Sequence, residues 1–350
     1  MSKSSAGNFF EDFQLGTVID CPTPRVLTDG DRSLYIAFTN DRTPRFCNRD
    51  GLVHPLIVFH TVLGQTVRPI SLNAKANLGY AEMLWPTPVH VGDEIATTAE
   101  IIGLKENRDR KSGIVYVRTR GTNQRGETVL QYVRWVMVHK RGEAATSYLT
   151  NPVTPEIAPH VTVNRFPQWQ GTVSNAQATG GRFWFEDYAV GERIVHLDGV
   201  TVNQSDHMSF TRCYQNTAKV HFDGIRTEGK PLVYGGYPFS LAYAHALNGF
   251  ENRCGIVALN GGTHVSPVYA GDTIYAFTDL IGVEPLGGDS PIGALRCRLI
   301  GVKNLPVEGS NPFEIKVPNP KRPGEMMYRP EVVLDIDYWE WMPKRTHGGA

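Results

Sequence analysis

The chain carries the same succession of apolar and polar segments twice. In each half a helix with a capping start comes first, beginning near Thr28 and near Asn203. An apolar run follows, at 56–63 in the first half and 239–247 in the second, and each run predicts a buried helix. Alternating segments come next, such as the long run at 128–139, and they predict strands. One apolar helix followed by antiparallel strands predicts an α+β fold in which a sheet wraps around a helix.

Short motifs recur at matching positions in the two halves. The paired segments are 10–16 with 185–191, 88–93 with 267–272, and 129–135 with 333–339. Two copies are too few for a solenoid, so the repetition predicts two fused copies of one domain. A chain of 350 residues is long enough for each copy to bury its own core.

The predicted division places an N-terminal domain at 9–141, a linker at 142–181 and a C-terminal domain at 182–345. The linker is rich in Pro, Thr, Ser, Asn and Gly without sustained periodicity, and it ends at Gly180 and Gly181. We expect the C-terminal copy to be the catalytic one and the N-terminal copy to be catalytically degenerate.

The amino-acid composition limits which kinds of molecule the protein is expected to bind. The chain has 41% apolar and 20% charged residues, with 35 basic and 35 acidic side chains and a formal net charge of zero. A general attraction to nucleic acid or to a membrane surface is therefore not supported. Five scattered cysteines without a Cys-x-x-Cys motif suggest reduced thiols, and a cytoplasmic protein is the expectation.

The segment with the clearest chemical signal is present in both copies but differs between them. Asp41 in the first copy aligns with Asn216 in the second, and Phe46 aligns with His221. Because only the second copy keeps a histidine, the pattern predicts one working site supported by a sister half that has lost catalysis.

These residues and the later Pro-Val-x-x-Gly-Asp segments resemble the MaoC-like (R)-specific enoyl-CoA hydratases, whose signature reads Gly-Asp-x-Asn-Pro-x-His. The resemblance covers about residues 9–345. It implies two tandem hot-dog domains, each an antiparallel sheet wrapped around a central helix. It also implies that the catalytic side chains act on a thioester substrate.

Three further segments, 73–81, 132–138 and 215–222, resemble the mesaconyl-CoA hydratases more narrowly. That resemblance implies a hydro-lyase that reversibly hydrates mesaconyl-C1-CoA (2-methylfumaryl-CoA) to β-methylmalyl-CoA. An acyl-CoA substrate and no cofactor are expected. No phosphate-binding Gly-x-Gly-x-x-Gly follows a strand, and the histidines have no metal-ligand spacing.

The sequence departs from the MaoC-like pattern at the aspartate, which is Asn216 here. A carboxamide can position water but cannot act as its base, so His221 must carry more of the proton transfer. Asp223 and Asp41 are the carboxylates considered as substitutes. We interpret Asn216 as an adaptation to a substrate that bears its own carboxylate, since two like charges would repel each other.

Substrate-binding residues are predicted on both sides of the histidine. Tyr234, Gly235 and Gly236 precede the second apolar helix, where free backbone N–H groups could polarise a thioester carbonyl; a plain glycine-rich turn is the alternative. Arg212 and Arg226 are the candidates for a planar clamp on the distal carboxylate, although each could be an ordinary surface arginine.

Two other functions stay open at this point. A hot-dog thioesterase would hydrolyse the thioester, and a non-catalytic acyl-CoA-binding protein would account for the incomplete Asp-His pair. The fused copies should form one complete site in one chain, and pairing of two chains into a homodimer is compatible with this arrangement.

Overall fold

The computed structural model describes residues 3–307 and 313–345, and it contains the repeated helix-and-strand order that the sequence predicts. The first half contains β1 (Val18–Val26), α1 (Asp29–Thr39), α2 (Pro44–Cys47), α3 (Pro55–Thr66), β2 (Ala74–Leu84), β3 (Glu94–Glu106), β4 (Ser112–Thr122) and β5 (Thr128–His139). A short helix, α4 (Ala176–Thr179), lies between the halves. The second half contains β6 (Arg193–Thr201), α5 (Gln204–Cys213), α6 (Gly236–His245), β7 (Gly255–His264), β8 (Thr273–Glu284), β9 (Ile292–Lys303), the small β10 (Lys316–Pro318) and β11 (Met326–Tyr328), and β12 (Val332–Pro343). A π turn at Val67–Ser71 extends α3, and single 3-10 turns lie at Phe10–Asp12, Ser147–Leu149, Val163–Arg165, Phe185–Asp187 and Lys219–His221.

The long strands of both halves belong to one antiparallel sheet. Its order is β1-β3-β4-β5-β2-β7-β12-β9-β8-β6, so the N-terminal five strands and the C-terminal five strands lie side by side. The halves join where β2 pairs with β7, with Tyr80 opposite Gly262 and Ala81 opposite Gly261. This seam brings residues of both halves to a common region of the molecule.

The two apolar helices lie where the sequence predicts them and are buried along their length. In α3, which follows His54, the residues from Leu56 to Thr66 are all buried. In α6 every residue is buried, and the small side chains Ala242 and Ala244 allow the sheet to approach closely. Because helices that are apolar on all sides are stable only when covered, the surrounding sheet is what stabilises them.

Close packing between α3 and the second half positions the segment that follows α5. A Cβ added to Gly64 would lie 1.6 Å from the carbonyl oxygen of Tyr214. Only a glycine allows the helix and this backbone to come so near each other. The segment that carries Asn216 is therefore held directly against α3.

The segment 142–181 has only short helical turns, yet it packs along the domains. Val153 exchanges backbone hydrogen bonds with Leu104 of β3 at 2.8 and 2.9 Å. The guanidinium of Arg45 lies 3.9 Å from the centre of a Trp169 ring. Among the described helices, none is long and apolar enough to span a bilayer.

Candidate functional site

A cavity of about 300 Å³ lies at the seam between the two halves. One wall comes from the first half, through the end of α3, the start of β2 and a side chain of β5. The other wall comes from the second half, through residues 216–238 and the segment 264–268 after β7. The cavity is therefore a shared site to which each repeat contributes a different set of side chains.

His221 lines this cavity from the 3-10 turn Lys219–His221 and is 8% exposed. Its Nδ1 lies 2.7 Å from the backbone carbonyl of Leu232, so Nδ1 carries the proton and donates it there. Within the described part of the chain, Nε2 has no hydrogen-bond partner. Burial lowers the pKa of His221 to about 4, which leaves Nε2 as an unprotonated base at neutral pH.

Asn216 lines the same cavity and is also buried. Its Oδ1 accepts a hydrogen bond of 3.1 Å from the backbone N–H of Ala218, so the side chain is fixed by its own turn. The preceding Gln215 has a φ of 58°, which sets the direction of the chain at this point. Since the carbonyl end is used, the amide N–H₂ of Asn216 is the end available to a ligand.

The start of α6 supplies backbone donors beside these side chains. Gly235 lines the cavity, whereas Gly236 is buried and is not among the lining residues. The N–H groups of both have no acceptor among the described residues. A Cβ on Gly235 would meet the ring of His264 at 2.7 Å, so glycine keeps the backbone accessible there. Tyr234 also lines the cavity, and its hydroxyl lies 3.1 Å from Nδ1 of His60.

Asp41 and Asp223 do not line the cavity. Asp41 is fully buried in the first half, 2.9 Å from Arg253 and 3.3 Å from His54. Burial by itself would raise the pKa of Asp41, but the charges of Arg253 and His54 outweigh it and hold that pKa below its usual range. Asp223 lies 3.0 Å from Arg226 in a surface turn. Neither carboxylate is in a position to replace the missing aspartate at His221.

The two arginines chosen from the sequence also lie outside the cavity. Arg212 is exposed on α5 and donates to Ser209 at 3.2 Å, and the Arg226 side chain is 65% exposed. Both arginines are close to His221 in sequence, but α5 and the 223–229 turn direct their side chains to solvent.

Arg134 of β5 is the arginine that lines the cavity, and the sequence-based prediction missed it. Its side chain is 1% exposed, and Nη2 donates to the hydroxyl of Thr66 at 2.8 Å. The signal was present in the pattern of the strand. The face of 128–139 that contains Arg134 is otherwise apolar, with Leu130, Tyr132, Val136 and Val138, and a single cation there is unusual.

Comparison with known proteins shows which family this chain is similar to. The family model described as mesaconyl-CoA hydratase matches residues 2–153. The chain is 44% identical to a mesaconyl-CoA hydratase of Cereibacter sphaeroides, over 98% of this chain and 100% of that protein. It is 43% identical to a beta-methylmalyl-CoA dehydratase of Chloroflexus aurantiacus, over 98% and 99% of the two chains.

Solved structures confirm the predicted double hot-dog architecture. A MaoC domain protein dehydratase from Chloroflexus aurantiacus superposes with a TM-score of 0.89 at 41% identity, covering 99% of this chain and 100% of that one. A Mycobacterium tuberculosis protein described as having a double hotdog fold superposes with a TM-score of 0.70 at 21% identity, covering 96% and 99%. The second likeness bears on the fold alone.

Proposed function

The chain belongs to the mesaconyl-CoA hydratase family, and we propose that it reversibly adds water to mesaconyl-C1-CoA to give β-methylmalyl-CoA. It is a hydro-lyase that acts on a CoA thioester. The single observation that carries the mechanism is the free Nε2 of His221 in the cavity between the halves.

His221 is proposed as the acid–base group. With its Nδ1 proton held by the Leu232 carbonyl, Nε2 can accept a proton from water as the oxygen attacks the β carbon. The electron pair of the double bond then moves toward the thioester carbonyl. The histidine returns the proton to the α carbon, which balances the addition of one water molecule.

The N-terminus of α6 is proposed to polarise the thioester carbonyl. Gly235 and Gly236 lie at the start of α6, where their N–H groups have no acceptor among the described residues, and such groups stabilise a developing oxyanion. Tyr234 completes this wall of the cavity and contacts His221, with ring centres 5.9 Å apart. These residues bind and activate the acyl end of the substrate.

Asn216 is proposed to orient the water or the substrate carboxylate through its amide N–H₂. A neutral donor at this position fits a substrate that carries a carboxylate on the carbon that water attacks. An aspartate would add a second negative charge within a partly dry cavity, where repulsion is strong.

The direct test is incubation of the purified protein with mesaconyl-CoA followed by mass spectrometry. Hydration adds the mass of one water and keeps CoA attached, whereas a thioesterase releases a free thiol. The variant His221→Ala serves as the control that separates enzymatic from spontaneous hydration. Binding of mesaconyl-CoA without any change of mass would contradict the proposal and indicate an acyl-CoA-binding protein. The relatives favour neither of these alternatives.

Three further features belong to this proposal. We assign the domains to 9–141 and 182–345, joined by 142–181, because the repeated motifs fall inside these limits. A cytoplasmic location is supported by five cysteines that are all unpaired. A homodimer is compatible with the scheme, and size-exclusion chromatography with light scattering would test it.

A further inference from the structure

Arg134 is a buried cation without a carboxylate partner in the part of the chain that the structure describes. Its hydrogen bonds go to neutral oxygens, those of Thr66 at 2.8 Å, Ser71 at 3.4 Å and Asn77 at 3.4 Å. A buried guanidinium normally has a counter-charge, because desolvation without one is unfavourable. The protein therefore carries an uncompensated positive charge in the wall of the cavity.

Hydrogen-bond donors near this charge are also unused. The Nε of Arg134 and the Nδ2 of Asn77 are both buried and have no partner among the described residues. Both side chains line the cavity. One unused donor of the guanidinium and one of the neighbouring amide match a carboxylate, because the two carboxylate oxygens accept several hydrogen bonds.

Among the described residues that line the cavity, no side chain supplies a negative charge. Its two histidines, His221 and His264, are buried, and burial lowers the pKa of each to about 4, so both are neutral at neutral pH. Lys75 is the other charged residue in the lining, and it is exposed, so water already solvates its charge. The described lining thus has one buried cation, Arg134, and no anion.

The other fully buried arginine shows what a structural role involves. Arg253 donates to Asp41 at 2.9 Å and to the Tyr243 carbonyl at 2.7 Å, and its charge is matched within the fold. Arg134 has the same degree of burial but no such match. The difference between the two residues points to a ligand rather than to packing as the reason for Arg134.

We propose that Arg134, assisted by Asn77, binds the free carboxylate of the substrate and determines selectivity for a dicarboxylic acyl-CoA. The inference rests on the proposed function, because it names the residue that recognises the acyl group of the same reaction. The N-terminal half then contributes the carboxylate-binding side of the site, and the C-terminal half contributes His221 and the α6 donors.

The test compares two saturated ligands that differ only in the end group. Succinyl-CoA carries a carboxylate where butyryl-CoA carries a methyl group, and neither can be hydrated. Isothermal titration calorimetry of the wild type and Arg134→Met gives both dissociation constants independently of catalysis. We expect the Kd for succinyl-CoA to rise by about 100-fold in the variant and that for butyryl-CoA to change by less than about threefold.

Two further variants guard the interpretation. Arg118→Met removes an exposed arginine of the neighbouring strand β4, which is paired with Glu100, and should leave both constants unchanged. Arg134→Lys keeps the charge but loses the planar fork, so the Kd for succinyl-CoA should rise by about tenfold, which keeps the test available if the methionine variant does not fold.

The outcomes separate this inference from the proposed function. Equal losses for both ligands, or no loss for succinyl-CoA, would overturn the role of Arg134 while wild-type hydration of mesaconyl-CoA still stood. Failure of the wild type to hydrate mesaconyl-CoA would overturn the proposed function instead. A selective loss for succinyl-CoA supports the proposal.

Discussion

The two histidines of the cavity differ in what their ring nitrogens do. His264 has its Nε2 3.1 Å from the hydroxyl of Tyr80, and its ring covers Gly235. His221 uses Nδ1 on the Leu232 carbonyl and leaves Nε2 free of protein partners within the described residues. Because a carbonyl oxygen only accepts, the lone pair of His221 is fixed on Nε2, whereas the Tyr80 hydroxyl can donate or accept and does not fix the tautomer of His264. We therefore propose His221, and not His264, as the acceptor of a proton from water.

The pH dependence of activity tests this role. The proposed role requires the neutral form of His221, and burial lowers the pKa of this side chain to about 4. We therefore expect kcat/KM for mesaconyl-CoA to stay level from about pH 5.5 to 8 and to fall as the pH drops through about 4. His221→Ala should lose about 10²–10⁴-fold at every pH in this range.

The fall of kcat/KM at low pH needs a control for unfolding. Since the pKa of His221 is lower in the folded state than in the unfolded state, protonation below about pH 6.5 also favours unfolding. Circular dichroism at each pH identifies the range in which the fold is intact. An acid limb centred near pH 6.5 within that range would contradict the expected low pKa.

Asn216→Asp tests the argument from like charges. Two carboxylates about 5 Å apart repel each other by roughly 3 kcal/mol at an effective dielectric constant of 20. We expect kcat/KM for mesaconyl-CoA to fall by about 100-fold, while hydration of crotonyl-CoA, whose acyl group is uncharged, falls less or increases. Steady-state kinetics with both substrates measure this, and unchanged turnover of mesaconyl-CoA would remove the electrostatic explanation.

Side chains near His221 in sequence were partly sufficient to predict the site. His221, Asn216, Tyr234 and Gly235 all line the cavity, because the stretch 216–238 of the second half forms much of one wall. Arg134 could not be found in this way, because it comes to the cavity through the pairing of β2 with β7 across the halves. Proximity in sequence favoured arginines that the fold directs to solvent.

The secondary structure could be predicted from the sequence where one local signal, such as alternation or a helix cap, was clear. The run at 128–139 alternates throughout and is the strand Thr128–His139. The helix after Thr28 has the expected capping start, which is a capping box in which the N–H of Thr28 donates to Asp31 at 2.8 Å. The second apolar helix is Gly236–His245, so it begins before residue 239 and ends before residue 247, the limits of the predicted run. Gly235 is its N-cap, and Pro238 lies in its first turn.

Gly64→Ala tests the contact between α3 and the segment after α5. The added methyl group would lie 1.6 Å from the Tyr214 carbonyl oxygen and 3.3 Å from the Asn216 nitrogen. Since both are backbone atoms, the elements must separate, and we expect the free energy of unfolding to fall by about 3 kcal/mol or more. Urea denaturation measures the stability, and kcat/KM should fall with it because Asn216 is displaced.

Gly224→Ala is the matched control for this substitution. Gly224 has no atom within 4 Å of the added Cβ and lies in the turn after His221. Its replacement should change stability by less than about 0.5 kcal/mol. A Gly64→Ala protein with wild-type stability and activity would show that the close approach of α3 does not position the site.

At the scale of the whole molecule, the two repeats have taken different roles at corresponding positions. Asp41 forms the same turn as Asn216, with its Oδ1 accepting from the Thr43 N–H at 3.0 Å. However, Phe46 stands where His221 stands in the other half, and Arg253 neutralises Asp41. The motif comparison showed in the sequence that the first half lacks the histidine. It did not show that Arg253, from a loop of the opposite half, balances the charge of Asp41.

The first-half site should therefore not regain activity from a single histidine. The corresponding cavity holds only about 80 Å³, with Trp169 of the segment between the halves in its lining. Phe46 also packs so closely on Gly255 that an added Cβ there would lie 2.6 Å from its ring. We expect the double variant His221→Ala with Phe46→His to have the same kcat/KM for mesaconyl-CoA as His221→Ala alone.

The comparison needs a packing control, because a polar ring at position 46 also weakens the core. His221→Ala with Phe46→Leu provides it, and thermal unfolding of all three proteins shows whether they are comparably folded. If the histidine at 46 restored activity by about tenfold or more over both controls, the first repeat would retain a usable site. No recovery in a folded double variant supports one active site per chain. A histidine at position 46 would have only the small first-half cavity beside it, and the nearby Asp41 is already paired with Arg253.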